Sequence, residues 1–345
     1  MKLLSSIIGS NTPTFVVIST FALMMLNLAG PVLGGGTDYV CAQDEYDAID
    51  TNNITETMQI FRDAIGPNTT SATDKNSGLR RGHRDLLALS KPVSFYAMGD
   101  APYGQREFAN LPIQLANLDS DAAEFAIHLG DMQDRRGQCR RYLYREFADM
   151  LDQSPLPTFI LPGDNDYYDC NNWQNGWSFW KEHFVQYDQK WETPFNVRYQ
   201  AARKENFAFT YRRVLFIGIH TLHGRIKNQG VWNRIENDNV QWTRNQVKNF
   251  RNVIDAVVIF SHAYTNKGQY PKLWEGLSSI GEDTKLPILF LQGDAHKWRQ
   301  STPFRAKNIL RTIVDRGGIA DPVLVTVNPG SADVFHFERR PLSTS

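Results

Sequence analysis

The sequence has no excess charge of either sign. Lysine plus arginine number 37, and so do aspartate plus glutamate. The basic footprint that nucleic acid demands is missing, so no nucleic-acid partner is expected. Cysteines number only 3, enough for one internal pair with one left over. No repeat of solenoid period is present. Charge is also nearly absent from the first stretch of chain, where Lys2 is the only charged residue before Asp38. The apolar run "FVVISTFALMMLNLAGPVL" fills that gap. A lysine-bearing start followed by an apolar stretch reads as a secretory signal or signal anchor over residues 1–36. The run approaches the length of a membrane span, so a membrane contact is expected only if it stays uncleaved.

Residues 37–91 form a polar linker too poor in apolar side chains to pack. It carries two glycosylation acceptors, Asn53 in "NIT" and Asn68 in "NTT", and the arginine cluster "LRRGHR". Secretion and glycosylation are therefore expected. Hydrophobic residues make up 41% of the chain and aromatics 12%, enough for a sizeable core over residues 92–338, with 339–345 a short tail. Cys139 and Cys170 each follow a Gly-Asp turn. If those turns are neighbours, the two sulfurs can meet in a bridge that an oxidising compartment would keep. Cys41 is the odd one, and a cleavage after Ala42 would remove it.

What is present is one construction, repeated. "VSFYAMGD" ends at Asp100, "EFAIHLGD" at Asp131, "PTFILPGD" at Asp164 and "PILFLQGD" at Asp294. A fifth apolar run, "AVVIFSH", ends at His262. A single Gly-Asp is an ordinary turn. Short, almost continuously apolar runs closed by turn signals are strands buried on both faces. Ligands in open α/β sheets sit beyond the carboxyl ends of such strands, so these carboxylates and the imidazole are expected along one sheet edge. Amphipathic segments at helical spacing lie between the strands, as in "REFANLPIQLANLD", "CRRYLYREFADMLD", "WSFWKEHFVQY" and "NDNVQWTRNQVKNF". "FAFTY" and "VLFIGIH" flank Arg212 and Arg213 as a hairpin, which makes the sheet mixed. "PVLVTVNPGS" and "VFHFE" close the chain as strands.

The order Gly-Asp, Gly-Asp-x-x-Asp, Gly-x-x-Asp, His, Gly-x-x-His resembles the calcineurin-like metallophosphoesterase superfamily, including purple acid phosphatases, from about Val93 to Phe337. The resemblance implies an α/β fold, a four-layer αββα sandwich with mixed sheets and a metal site at the strand C-terminal ends. It implies two divalent metal ions and a small phosphorylated substrate, with a bridging hydroxide attacking phosphorus.

The family residues transfer unevenly. Asp100 and Asp131 stand in place, Asp131 as the expected bridge, but Pro102 occupies a ligand histidine's position. Asp134 could replace the missing ligand, or Tyr103 could swing in. In "GDND", Asp164 stands where an asparagine ligand belongs, Asn165 stands where a histidine general acid belongs, and Asp166 matches the family acid. His262 is retained. In "GDAH", Asp294 replaces the first histidine and His296 is kept. The implied ligands are thus Asp100, Asp131 and His296 for one ion, and Asp131, Asp164, His262 and Asp294 for the other. So oxygen-rich a set shifts the metal toward Mn²⁺ or Mg²⁺, with Fe or Zn²⁺ also compatible.

Among nearby cations, Arg135 or Arg136 is expected to reach the phosphate. His220 and His223, in "IGIHTLHG", are candidates for the missing acid, while His128 inside a strand reads as core. Trp173, Trp177 and Trp180 read as core more readily than as a substrate platform. The altered positions also admit a non-catalytic binding protein on the same fold. A carboxylate-rich glycosidase needs only two acids and gives His262 and His296 no role.

Overall fold

The computed structural model describes residues 91–135, 138–224 and 226–339. The expected signal segment, the expected acceptors Asn53 and Asn68, Cys41 and Arg136 lie outside the described residues. No helix among the described residues is long and apolar enough to cross a membrane.

Two mixed sheets carry the fold. The smaller contains β1 (Val93–Met98), β2 (Phe125–His128), β3 (Thr158–Ile160), β11 (Val323–Val327) and β12 (Phe335–Glu338), in the order β12-β11-β1-β2-β3. The larger contains β4 (Arg198–Gln200), β5 (Arg203–Tyr211), β6 (Val214–Ile219), β7 (Ala256–Ser261), β8 (Ile288–Gln292), β9 (Arg299–Ser301) and β10 (Ile309–Ile313), in the order β4-β5-β6-β7-β8-β10-β9. In the smaller sheet β1, β2 and β3 run parallel out to the β3 edge, with antiparallel β11 and β12 on the other side. In the larger sheet the parallel strands β6, β7, β8 and β10 form the middle, flanked by antiparallel β9 on one side and by β5 and β4 on the other, β5 and β6 making the expected hairpin. Arg212 and Arg213 turn it with φ of 45° and 64°, the sign that the tightest hairpin turns require at both central residues.

The period of two in each strand decides what goes where. Val93, Phe95 and Ala97 of β1 face inward with Phe125, Phe159, Phe216 and Phe260, building a phenylalanine-rich core between the sheets. Phe95 and Phe125 stack at 5.0 Å, with Phe216 and Phe260 set edge-on to Phe95. The alternate residues Tyr96 and Met98 face outward onto α1 (Gln105–Ala116), α2 (Arg141–Leu151) and α3 (Trp173–Phe184). Val257 and Ile259 of β7 do the same toward α4 (Gln229–Phe250) and α5 (Pro271–Thr284). The result is a helix–sheet–sheet–helix sandwich. Trp180 is fully buried, and Trp173 and Trp177 pack against the cores on either side of it.

The chain reverses at the carboxyl ends of β2 and β3, and a disulfide joins the two segments that follow. Cys139 and Cys170 are bonded, with Cα atoms 5.9 Å apart. A cross-link of this kind is typically worth about 2–4 kcal/mol.

Candidate metal centre

All five strand-end blocks meet at one edge of the sandwich. The turns there are tight. Asp100, Asp131, Asp294 and His296 all adopt left-handed backbone, with φ of 59°, 59°, 68° and 58°. Aspartate tolerates this region better than most residues, and such conformations cluster where function over-determines the backbone. The turns hold one another. Asp100 N donates to Gly130 O at 2.9 Å, and Asp294 N donates to both Asp100 oxygens at 2.9–3.0 Å. Two glycines are obligatory. A Cβ at Gly163 would lie 2.0 Å from Asp131 Oδ1, and one at Gly130 would lie 2.9 Å from His262 Nδ1.

The gathered donors form two overlapping groups, Asp100–Asp131–His262 and Asp164–His262–Asp294. Within each group the ligand atoms lie within 4.8 Å of one another. His296 Nε2 stands 3.6 Å from Asp100 Oδ1. Tyr103 Oη donates to Asp131 Oδ2 at 2.9 Å and lies 3.5 Å from Asp100 Oδ1. Of the two residues weighed for the missing ligand, Tyr103 reaches the centre. Asp134 belongs to neither group and instead lines a cavity beside Tyr103.

The electrostatics test whether a cation fits. His262 is fully buried. Its Nδ1 is 2.9 Å from the carbonyl of Leu129, which can only accept, so Nδ1 carries the proton. This backbone-fixed tautomer is usual for metal-binding histidines. Nε2 then faces Asp131 Oδ1 at 3.3 Å and Asp164 Oδ1 at 3.2 Å, out of hydrogen-bond geometry with either. A buried lone pair aimed at two carboxylates is unfavourable unless a proton or a metal stands between them.

The pKa values carry the same strain. Burial would depress the His262 imidazolium, but Asp131, Asp164 and Asp100 hold it well above its usual range. Burial first, then Asp294 and Asp164, push Asp100 up to about 7 against the relief from His262. Asp131 is raised by burial and by Asp164, Asp166 and Asp100. Without a cation the cluster must hold protons, and divalent cations would replace them. The residues fit the metals that the fold implies.

Several expected site residues have other work. Asp166 is fully buried and spends both oxygens on backbone amides, at 3.1 Å from Asp131, 2.7 Å from Met132 and 2.7 Å from Gly163. It clamps the second and third turns together, so the catalytic role expected for it is corrected to a positioning one. His220 is corrected too. Its nitrogens are taken by Tyr167 Oη and Glu205 Oε1, both at 3.0 Å, and Trp177 stacks on its ring. Burial keeps it less basic than usual. It is a satisfied core histidine. So is His128, which burial pushes down to about 3.

His223 is different. Its Nδ1 lies 2.9 Å from Asp294 Oδ2, its backbone N donates to Asp164 Oδ1 at 3.2 Å, and its side chain is 30% exposed. The hydrogen bond to Asp294 raises its pKa. Asn165 donates from Nδ2 to Asp131 Oδ2 at 2.6 Å and from its backbone to Asp131 Oδ1 at 3.0 Å, so the amide orients a ligand. Arg135 sits on an exposed turn.

Three contributors went unseen in the sequence. Arg316 places its guanidinium 4.6 Å over the Tyr103 ring and pairs with buried Glu107 at 2.5 Å. Glu107 also accepts the backbone amides of Tyr103 and Gly104. Tyr264 donates its backbone N to Asp294 Oδ2 at 2.6 Å. A buried acid in a helix first turn and an arginine after a strand leave no periodic trace. Only the proximity of Tyr103 to Asp100 in sequence pointed here.

Among solved structures, a dimetal phosphatase from Danio rerio superposes with a TM-score of 0.50 at 11% identity, covering 72% of this chain and 96% of that one. A 5'-nucleotidase from Candida albicans gives 0.48 at 14% identity, with 73% and 52% covered. A purple acid phosphatase from yellow lupin (Lupinus luteus) gives 0.46 at 14%, with 73% and 52% covered. Likeness at these identities speaks to the fold alone. No curated protein sequence matches. The profile described as calcineurin-like phosphoesterase matches residues 95–324. With its five strand-end blocks meeting at one edge, the chain belongs to that family.

Proposed function

We propose that this chain is a metal-dependent hydrolase of phosphate esters working with two divalent cations. Asp100, Asp131 and His296, with Tyr103 alongside, would hold one, and Asp131, Asp164, His262 and Asp294 the other. When bound, the cations supply positive charge to the phosphoryl oxygens and make a water acidic enough to serve as nucleophile. The observation that carries this reading is the buried His262 Nε2, facing two carboxylates with no hydrogen-bond partner. The carboxylate-rich donor set favours hard cations such as Mn²⁺ or Mg²⁺.

The remaining residues divide the other tasks. Asp166 fixes the backbone of the second and third turns. Asn165 and Tyr103 hold Asp131 by its Oδ2. His223, whose hydrogen bond to Asp294 favours the protonated ring, is placed to donate to a phosphoryl oxygen. At the position of the family's histidine general acid stands an amide, Asn165. The phenol next to it is pushed above its usual range by burial and by Asp131. Neither gives a proton readily, so the leaving group departs largely unaided.

The disulfide favours an oxidising compartment, and we place the protein in the secretory pathway. Elemental analysis joined to hydrolysis of substituted phenyl phosphates tests the reading. About two ions per chain are expected, with a rate that falls steeply as leaving-group pKa rises. A chain that takes up neither Mn²⁺, Mg²⁺, Fe nor Zn²⁺ on reconstitution and hydrolyses no ester would overturn it.

A further inference from the structure

A cavity of about 170 Å³ opens directly beside the metal centre, walled by Tyr103, Phe108, Met132, Leu143 and Phe147, with Asp134 and Gln133 as its polar members. Its position follows from the fold. Pro102–Tyr103 and Met132–Asp134 are the residues that leave the Asp100 and Asp131 turns, and Leu143 and Phe147 come from α2. Tyr103 is shared, lining the cavity with its ring while its hydroxyl touches Asp131 at 2.9 Å. Asn165, at the place of the family's proton donor, lies against the same hydroxyl at 3.5 Å. Tyr103 is therefore the wall that the cavity shares with the metal centre, with the Asn165 amide beside its hydroxyl. Phe108 at its rim is 36% exposed, a large apolar side chain left facing solvent on α1. An apolar cavity of about 150 Å³ is enough to hold benzene.

We propose that this cavity is the leaving-group subsite of the hydrolase proposed above, and that it takes one flat six-membered ring, so that aryl phosphates are the substrate class. Two independent features converge on this. The walls are aromatic and aliphatic and match a single ring in volume. The groups at the shared wall, Tyr103 Oη and Asn165 Nδ2, already donate to Asp131 Oδ2, so the site suits a phenolate, which needs no proton to leave. The reaction is an ordinary hydrolysis. The P–O(aryl) bond breaks with its electron pair on the phenolate, a P–O bond forms to water, and the water's protons pass to solvent and phenolate.

The test separates ring binding from phosphorus chemistry. Phenylphosphonate and methylphosphonate are compared as competitive inhibitors, since neither has an ester to cleave. Burying one ring is worth about 10- to 100-fold in affinity, so phenylphosphonate is expected to bind tighter by at least about tenfold. Leu143→Trp, which fills the cavity, is expected to collapse that ratio toward unity. Phe108→Ala, at an exposed position, serves if the tryptophan variant does not fold, and should weaken phenylphosphonate more than methylphosphonate. Equal inhibition constants in the wild type overturn the proposal.

The metal-free chain is examined in parallel with 4-fluorophenol by ¹⁹F NMR. Line broadening that Leu143→Trp removes supports the ring site even if no phosphate ester is hydrolysed, in which case the hydrolase reading alone falls. No broadening by the wild type sinks the ring site, whatever the hydrolase does.

Discussion

The two halves of the metal centre are made from the same kind of strand end yet differ in character. Around Asp164, His262 and Asp294 the surroundings are charged and hydrogen-bonded. His262 is fully buried, Asp294 is held by His223 and by the Tyr264 amide, and Asp164 takes the His223 amide. Around Asp100 and His296 the surroundings are aromatic. The His296 and Tyr103 rings meet edge to face at 5.4 Å, Arg316 lies over the phenol, and the ring-sized cavity lies beyond. On the reading proposed above, one half holds charge and acts on the phosphoryl group, and the other accepts what leaves.

Asp131 sits between the halves, so removing it should erase the contrast altogether. Asp131→Ala is expected to drop the metal content from about two ions to none and to abolish hydrolysis, as elemental analysis and a phenyl phosphate assay will show. Unchanged stoichiometry would show that the halves are independent sites. The next effect separates them. His223→Ala removes a donor from the phosphoryl side and should lower kcat about 10²–10³-fold, equally for aryl and alkyl esters. Tyr103→Phe removes one hydrogen bond on the other side and should cost about fivefold. If His223→Ala instead hurt alkyl esters far more than aryl ones, His223 would be the leaving-group acid and the division of labour would be wrong.

The smallest effect is thermodynamic. Folded Asp100 titrates near 7, against an ordinary value of 3.8. Between those values the folded chain keeps a proton that the unfolded chain has lost, so metal-free stability falls as pH rises from about 4 to about 7. Asp131 and His262, both raised, add to it with the same sign. Metal replaces those protons, so the gain in Tm on adding Mn²⁺ should grow with pH. Each ~1 kcal/mol moves Tm by about 2–4 °C in a chain of this size class. A gain that shrinks with rising pH would contradict the pKa directions.

The charged half was the more legible in sequence, for a physical reason. A strand buried on both faces must be apolar throughout, so a carboxylate or imidazole at its end stands out. Asp164, His262 and Asp294 were expected in that way, as was Asp100 on the other side; the same runs gave the strand–helix alternation, while the αββα layering was implied by the family resemblance. The failures share another cause. Asp166 has the same spelling as a ligand, two positions beyond Asp164. Its side chain turns back to the Gly163 amide at the start of a helical turn, as an acid in a first turn can, and spacing does not reveal that reversal. His220 and His223 sit three apart in one strand exit, and only packing sends the first onto Tyr167 and Trp177 and the second onto Asp294. Glu107 reaches Tyr103 from the first turn of α1, but Arg316 comes to it from beyond β10, far along the chain. α5 was not anticipated because its glycines and serines blur the apolar period, although Pro271 begins it in the favoured first-turn position.

The glycines at the ends of β2 and β3 have a wider consequence. With no side chain at 130 and 163, the ends of β2 and β3 touch almost backbone to backbone and the His262 ring of the other sheet comes up against the same point: a Cβ at Gly130 would strike Gly163 N at 2.8 Å and His262 Nδ1 at 2.9 Å. The spacing of Asp131, Asp164 and His262 is therefore set by two lengths of bare main chain and one buried ring, with no further side chain between them to trim. A donor of another kind could be seated at Asp164 or Asp294 without altering the gauge of the site, whereas any side chain added at Gly130 or Gly163 would force it open.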